Sequence, residues 1–219
     1  MKTTKKIVVG ILALALVFAF IGCGGDDGDG GGSGPNFSIS GLQVYQMNGI
    51  LITEYSGNLE VKSNVGGSGS ITEGKITFSV GTPDTLIPLE SVMTSGDIGE
   101  IFSYFEFDPN GTRGAVLSLT TSAGDLTKAN MSLGGSLTVD MVYYAYVDRA
   151  CSITGEGRTA SMRGYTVTYP DTNLNLKTGW NSIAVKVVTT NILSKTGTAN
   201  FSVGDPSSCN WTLNFSIPN

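Results

Sequence analysis

The side chains that most often carry catalysis are scarce in this chain of 219 residues. It contains no histidine, which excludes Ser-His-Asp and Cys-His catalysis and removes the usual ligand of zinc and haem sites. No glycine-rich loop stands between a strand and a helix, so nucleotide binding has no support. We therefore expect neither a metal site nor a cofactor.

Carboxylates are the remaining groups with which the chain could perform acid–base chemistry. Glycoside hydrolysis needs two of them facing each other across a cleft. Nothing in their spacing singles out a pair, so we predict a non-enzymatic protein and keep a carboxylate-based hydrolase as the alternative. The available acids are Glu100, Glu106, Asp108, Asp140, Asp148 and Glu156.

Aromatic side chains are the most distinctive candidates for contact with a ligand. Trp180, Tyr143, Tyr144 and Tyr146 could supply flat faces on which sugar rings stack. Because side chains alternate along a strand, Tyr144 and Tyr146 share one face while Tyr143 lies on the other, so at least one face has to be core. We therefore favour core packing for these four residues and keep ligand stacking as the alternative role.

The elements that must position these side chains are strands. From Phe37 onward Thr, Val, Tyr and Ile alternate with polar residues, and Gly, Asn, Asp and Pro interrupt the pattern about every 8–12 residues. No βαβ rhythm is present. The pattern predicts an all-β fold without significant helix, either a sandwich or a barrel. Of the two we predict an antiparallel β-sandwich of the Ig-like or jelly-roll-like kind, formed as one domain by residues 36–219.

The N-terminal residues are typical of an export signal. Lys2, Lys5 and Lys6 precede an uncharged apolar run over residues 7–21, which ends in small residues. At about 15 residues the run is shorter than the roughly 20 that span a bilayer as a helix. A cleaved secretory signal and an uncleaved short membrane helix are the alternatives to the interpretation that follows.

The stretch 19–23, Ala-Phe-Ile-Gly-Cys, resembles the lipobox of bacterial lipoproteins. In that family the cysteine thiol receives a diacylglyceryl group, the chain is cut before the cysteine, and the new amino group is acylated. Phe20 stands where the family most often has Leu. The resemblance implies a signal peptide over residues 1–22 and a lipid anchor on Cys23, with fatty acyl chains such as palmitate holding the protein to a membrane.

The segment after the anchor is rich in Gly and Asp. Residues 23–35 are therefore predicted to form a flexible, solvated tether. In some lipoproteins an Asp directly after the lipidated cysteine retains the protein at the inner membrane. Here that position is Gly24, so we expect the outer membrane or the cell surface. Removal of residues 1–22, which carry three lysines and no acid, changes the net charge from −5 to −8. Such a charge repels nucleic acid, which excludes it as a partner.

Two cysteines remain once Cys23 is assigned to the lipid. An even pair in an exported protein is a disulfide candidate, so we predict a bond between Cys151 and Cys209. In the chain-entropy model it would stabilise the fold by about 4 kcal/mol. Two separate buried thiols are the alternative.

A second resemblance concerns the stretch 174–181, Leu-Asn-Leu-Lys-Thr-Gly-Trp-Asn. It is similar to a Gly-Trp-Asn turn between two late strands in uncharacterised all-β envelope lipoproteins, and it brings no activity with it. Taken together, the patterns predict a non-enzymatic binding or adhesion module that contacts a polysaccharide or another envelope protein. A structural or assembly component of the envelope, and a carrier of a small apolar ligand, are the alternatives.

Overall fold

The computed structural model describes residues 36–48, 51–94, 104–134, 136–162, 165–191 and 195–214. The expected signal peptide, the tether and Cys23 lie outside the described residues. Within them, short strands dominate and a single short helix, α1 (Leu89–Met93), is present.

The strands run in chain order as β1 (Phe37–Asn48), β2 (Leu51–Glu54), β3 (Leu59–Ser63), β4 (Ser68–Thr72), β5 (Lys75–Val80), β6 (Ile87–Pro88), β7 (Glu106–Asp108), β8 (Arg113–Val116), β9 (Leu119–Thr121), β10 (Gly124–Leu133), β11 (Leu137–Val147), β12 (Cys151–Gly155), β13 (Arg158–Met162), β14 (Tyr165–Tyr169), β15 (Thr172–Leu176), β16 (Gly179–Asn191), β17 (Thr196–Val203) and β18 (Asn210–Leu213).

The all-β prediction is confirmed, because among these residues no helix reaches seven residues. The physical basis is visible in β5, where every second side chain is buried and the intervening ones face solvent. β-branched and aromatic residues suit such a pleated, half-buried surface. The buried side chains of β5 are Ile76, Phe78 and Val80.

Seven of the strands close into a barrel, in the order β1, β5, β4, β3, β9, β10 and β18. The last strand, β18, closes the ring by pairing antiparallel with β10 and parallel with β1. The expected architecture is corrected here, since this half of the fold is a closed barrel and not specifically a sandwich. Alternation within strands indicates which residues are buried, and it carries no information on which strands pair.

Large apolar side chains fill the barrel. Barrels of about eight strands enclose just enough room for side chains to pack. The fully buried apolar residues that the barrel strands contribute include Ile39, Val61, Ile71, Ile76, Phe78, Leu119, Leu126 and Leu213.

The long strand β10 belongs to the barrel and to a second sheet that leaves it. From β10 this sheet continues through β11, β16, β17 and β14 to its end at β13. A separate three-stranded sheet, β7, β12 and β15, lies against it, and Phe105 meets Phe201 of β17 edge-on at 5.5 Å. The second half of the fold therefore has two layers, and in it β11 pairs with β10, β16 and β8.

Candidate functional site

The four predicted stacking residues are all buried. Trp180 is 5% and Tyr146 9% exposed, and Tyr143 and Tyr144 are buried more deeply still. The cause is the position of β11, whose last seven residues are buried on both faces. Core packing, the favoured interpretation, therefore describes these rings, and the alternative that they stack on a sugar is corrected.

The Gly-Trp-Asn turn has a structural role that the geometry makes plain. Gly179 adopts a positive φ of 99°, which a residue with a side chain rarely tolerates. The Asn181 amide bonds the Lys177 backbone on both sides, accepting from its N–H at 2.8 Å and donating to its carbonyl at 2.7 Å. Trp180 Nε1 donates to the Gly81 carbonyl at 3.0 Å. The motif thus closes a turn and pins the indole against a distant segment.

The predicted disulfide between Cys151 and Cys209 is not supported, because both are separate buried thiols. Cys151 begins β12 in the three-stranded sheet, whereas Cys209 precedes β18 of the barrel. Burial raises the pKa of both thiols, that of Cys209 to about 11, and the negative charges of Asp140 and Asp205 add to the effect at Cys209. Both groups are protonated at neutral pH and are poor nucleophiles.

We expect this thiol to make stability fall at alkaline pH. The folded-state pKa of Cys209 lies above the ordinary thiol value of 9.0, so between these values the folded chain keeps a proton that the unfolded chain loses. The stabilisation is complete below about pH 9 and is lost as the pH rises to about 11, a change of at most about 2–3 kcal/mol. Urea unfolding of the wild type and of Cys209→Ala across this range measures it. Between pH 9 and pH 11 the free energy of unfolding should fall less for the variant than for the wild type. If it falls equally with pH in both proteins, the raised pKa of Cys209 is not the cause.

A polar cluster lies among the buried side chains of the described residues, and its polar contacts were not predicted from the sequence. Lys128, Asp205 and Tyr144 form it, and we call it the Lys128 cluster. Lys128 is 2% exposed and lies where β10 leaves the barrel, opposite Trp211 of β18 and Val142 of β11. Its Nζ lies 2.8 Å from Asp205 Oδ2. A lysine is tolerated at such a position only because it is paired, since burying an isolated ammonium costs many kcal/mol.

The carboxylate of the Lys128 cluster is approached by two donors at one oxygen. Tyr144 donates its hydroxyl hydrogen to Asp205 Oδ2, which also receives the Lys128 ammonium. Asp205 Oδ1 is buried and has no hydrogen-bond partner within the part of the chain that is described. Asp205 sits in the connection from β17 to β18, directly after Gly204 with φ +138°, and its side chain is 16% exposed.

A signal for Lys128 was present in the sequence. It follows Leu126 by two residues in a strand, so the two side chains share a face, and Leu126 belongs to the core. An inward-facing lysine needs a buried acid. Which acid supplies the partner could not be read from the sequence, because Asp205 lies 77 positions away in a loop.

The acids considered for hydrolysis are distributed over several elements. Glu106 and Asp108 share an exposed face of β7, and Asp140 on β11 lies 3.9 Å from Lys186. Asp148 pairs with Arg149 at 3.1 Å, and that hydrogen bond holds the pKa of the Asp148 carboxyl below its ordinary value. Glu156 follows β12, and Glu100 lies outside the described residues.

The outer edge of the larger sheet is strand β13. All five of its residues pair with β14, and no other strand of the described ranges pairs with its far side. Thr159 and Ser161 are exposed, and Ala160 packs towards the core. The only charge in the strand is Arg158, whose guanidinium lies over the Tyr104 ring at 3.1 Å.

Comparison with known proteins adds no relative to this description. No protein-family model matches the chain, and neither curated proteins nor solved structures give a match. Among the residues described, no group of three or more Cys, Asp or Glu side chains is arranged to hold a metal ion. No helix in the same ranges is long and apolar enough to cross a membrane.

Proposed function

We propose that this protein is a non-enzymatic interaction domain, tethered to a membrane of the cell envelope by lipid on Cys23, that binds an extended segment of another envelope protein. The observation that carries the binding half of the proposal is the open edge of β13. The anchoring half rests on the lipobox-like stretch 19–23 and on the Gly/Asp-rich tether after it.

Within the described ranges, β13 has none of the lysines, prolines or bulges that usually prevent strand pairing at an edge. Natural proteins protect such edges with lysines, prolines, bulges or covering elements. The strand has no lysine or proline, its pairing with β14 is free of register shifts, and Arg158 is engaged with Tyr104. One edge strand of the smaller sheet, β7, differs because it carries Glu106 and Asp108. An extended peptide can add to β13 through main-chain hydrogen bonds, which is a common mode of peptide recognition.

Two other functions considered from the sequence have less support. Recognition of a sugar by stacking needs exposed rings, and the four candidate rings are buried. Transport of a small apolar ligand needs an apolar cavity of several hundred Å³. The interior of the barrel is instead occupied by packed side chains such as Ile76 and Phe78.

A matched pair of variants tests the proposed edge. Thr159 of β13 and Thr168 of β14 lie directly opposite each other, both are exposed, and their hydroxyl groups are 3.2 Å apart. Thr159→Lys and Thr168→Lys therefore lose the same hydrogen bond and add the same charge on the same face. They differ in that Thr159 is on the edge strand and Thr168 on an interior one.

We expect Thr159→Lys to reduce the yield of the partner complex about tenfold or more, because a lysine on an edge opposes strand addition. Thr168→Lys should leave the yield near that of the wild type. The measurement is chemical cross-linking in intact cells, with quantitative mass spectrometry of the proteins attached to the full-length chain. If every cross-linked protein responds equally to the two variants, binding at the β13 edge is wrong.

A further inference from the structure

We propose that Lys128 and Asp205 become joined by an intramolecular isopeptide bond, formed by the protein itself within its folded core. The geometry of the Lys128 cluster supports this bond, and neither the tether nor the β13 edge takes part in it.

The reacting groups are held in contact before any reaction takes place. Lys128 Nζ and Asp205 Oδ2 are 2.8 Å apart, and the lysine is held within a strand that has pairing partners on both sides. Placing two reactants together in this way removes most of the entropic barrier of a bimolecular step. The carboxyl group comes from the loop between β17 and β18, which contains Asp205.

The surroundings favour an uncharged product over an ion pair. The amine is 2% exposed, and Val142 and Trp211 flank Lys128 on the neighbouring strands. Separated charges are costly in such an apolar site, whereas an amide is neutral and can use its N–H and carbonyl in hydrogen bonds. Asp205 Oδ1, which has no partner among the described residues, corresponds to the oxygen that an amide would keep.

The reaction is a condensation that needs no oxidant and no cofactor. A proton first passes from Lys128 Nζ to Oδ2 of the carboxylate, which leaves a neutral amine beside a carboxylic acid. The amine electron pair attacks Cγ of Asp205, and the new bond joins Nζ to Cγ. The Tyr144 hydroxyl donates a hydrogen bond to Oδ2. It passes its proton to that oxygen and takes one from nitrogen, so that a second proton reaches Oδ2. The Cγ–Oδ2 bond then breaks, and the oxygen leaves as water.

The bond would fasten the two halves of the fold together. Lys128 belongs to the strand shared by barrel and sheet, while Asp205 lies in the connection that returns the chain from β17 to the closing strand β18. A covalent link there restricts the unfolded chain as a disulfide would, in a protein whose two described cysteines are separate thiols.

Tryptic digestion of the wild-type protein tests the proposal directly. Trypsin cleaves after free lysine and arginine, so an acylated Lys128 is not cut. After prolonged incubation of the folded protein and then denaturation, we expect residues 114–149 joined to residues 196–219, with a mass one water below the sum of the two. Recovery of 114–128 and 196–219 as separate, unmodified peptides in full yield would mean a buried ion pair only, and would overturn the proposal.

Two variants identify the chemistry without depending on each other. Lys128→Arg keeps a cation at the site and removes the nucleophilic amine, so the linked peptide should disappear; its persistence would assign the bond to another residue and overturn the proposal. Tyr144→Phe keeps the ring and removes the hydroxyl, so the fraction linked after a fixed time should fall. An unchanged fraction would overturn the proton-transfer role of Tyr144. Circular dichroism of each variant verifies that the strands are retained.

Discussion

Replacement of Trp180 by alanine is expected to lower the free energy of unfolding by about 3–5 kcal/mol. The indole is buried, and its ring centroid lies 5.7 Å from that of Phe37 and 5.6 Å from that of Tyr146. Its Nε1 also satisfies the Gly81 carbonyl. The substitution therefore leaves a cavity between β1, β11 and β16 and removes the bond to a segment beyond β5.

The matched control is Trp180→Phe, which keeps most of the ring volume and loses the N–H. We expect it to cost less, about 1–3 kcal/mol, from the lost hydrogen bond and a smaller void. Urea unfolding of both variants measures the difference in the free energy of unfolding, provided that the slope of that free energy against urea concentration is the same for both. Surface substitutions usually change the free energy of unfolding by no more than about 0.5 kcal/mol. If Trp180→Ala changes it by no more than that, the indole is not a core residue and its role in ligand contact has to be reconsidered.

Replacement of Cys23 by alanine is expected to transfer the protein from the membrane fraction to the soluble fraction. The thiol is the proposed site of the diacylglyceryl group, and two or three acyl chains anchor stably where one binds only marginally. Without the thiol, the remaining interaction with the membrane is through residues 1–22, whose apolar run of about 15 residues is short for a bilayer-spanning helix.

Cys209→Ala is the control for this experiment, since it also removes one thiol and should leave the protein in the membrane fraction. Fractionation of cells by ultracentrifugation, followed by immunoblotting, gives the distribution. Retention of Cys23→Ala with the membranes at the level of the wild type would contradict the lipid anchor.

The strands were predictable because their signal is local. In β5 and β14 each buried residue alternates with an exposed one, so inspection of five or six residues suffices. The barrel was not predictable in the same way. It depends on β18 reaching β1, with Val44 opposite Trp211, and this contact joins the two ends of the described chain. The alternation of buried and exposed residues within a strand does not indicate which distant strand it pairs with.

The errors at the candidate site have a common physical origin. Tyr143, Tyr144 and Tyr146 were candidates for exposure because a strand usually has one solvent face, and β11 has none over its last seven residues. The disulfide was expected because two cysteines remain after Cys23. An even number does not show whether the two are close in the fold, and Cys151 and Cys209 lie at different sheets as free thiols. The pairing of Lys128 with Asp205 required the position of a loop relative to a strand, which only the folded chain defines.

We propose that lipid on Cys23 holds this β domain at a membrane. The most direct measurement is mass spectrometry of the N-terminal peptide of the protein purified from membranes of its host. We expect a mature chain that begins at Cys23 and carries a diacylglyceryl group on the thiol, with or without a further acyl chain on the amino group. An N-terminal peptide without lipid, or one in which residues 1–22 are retained, would contradict it.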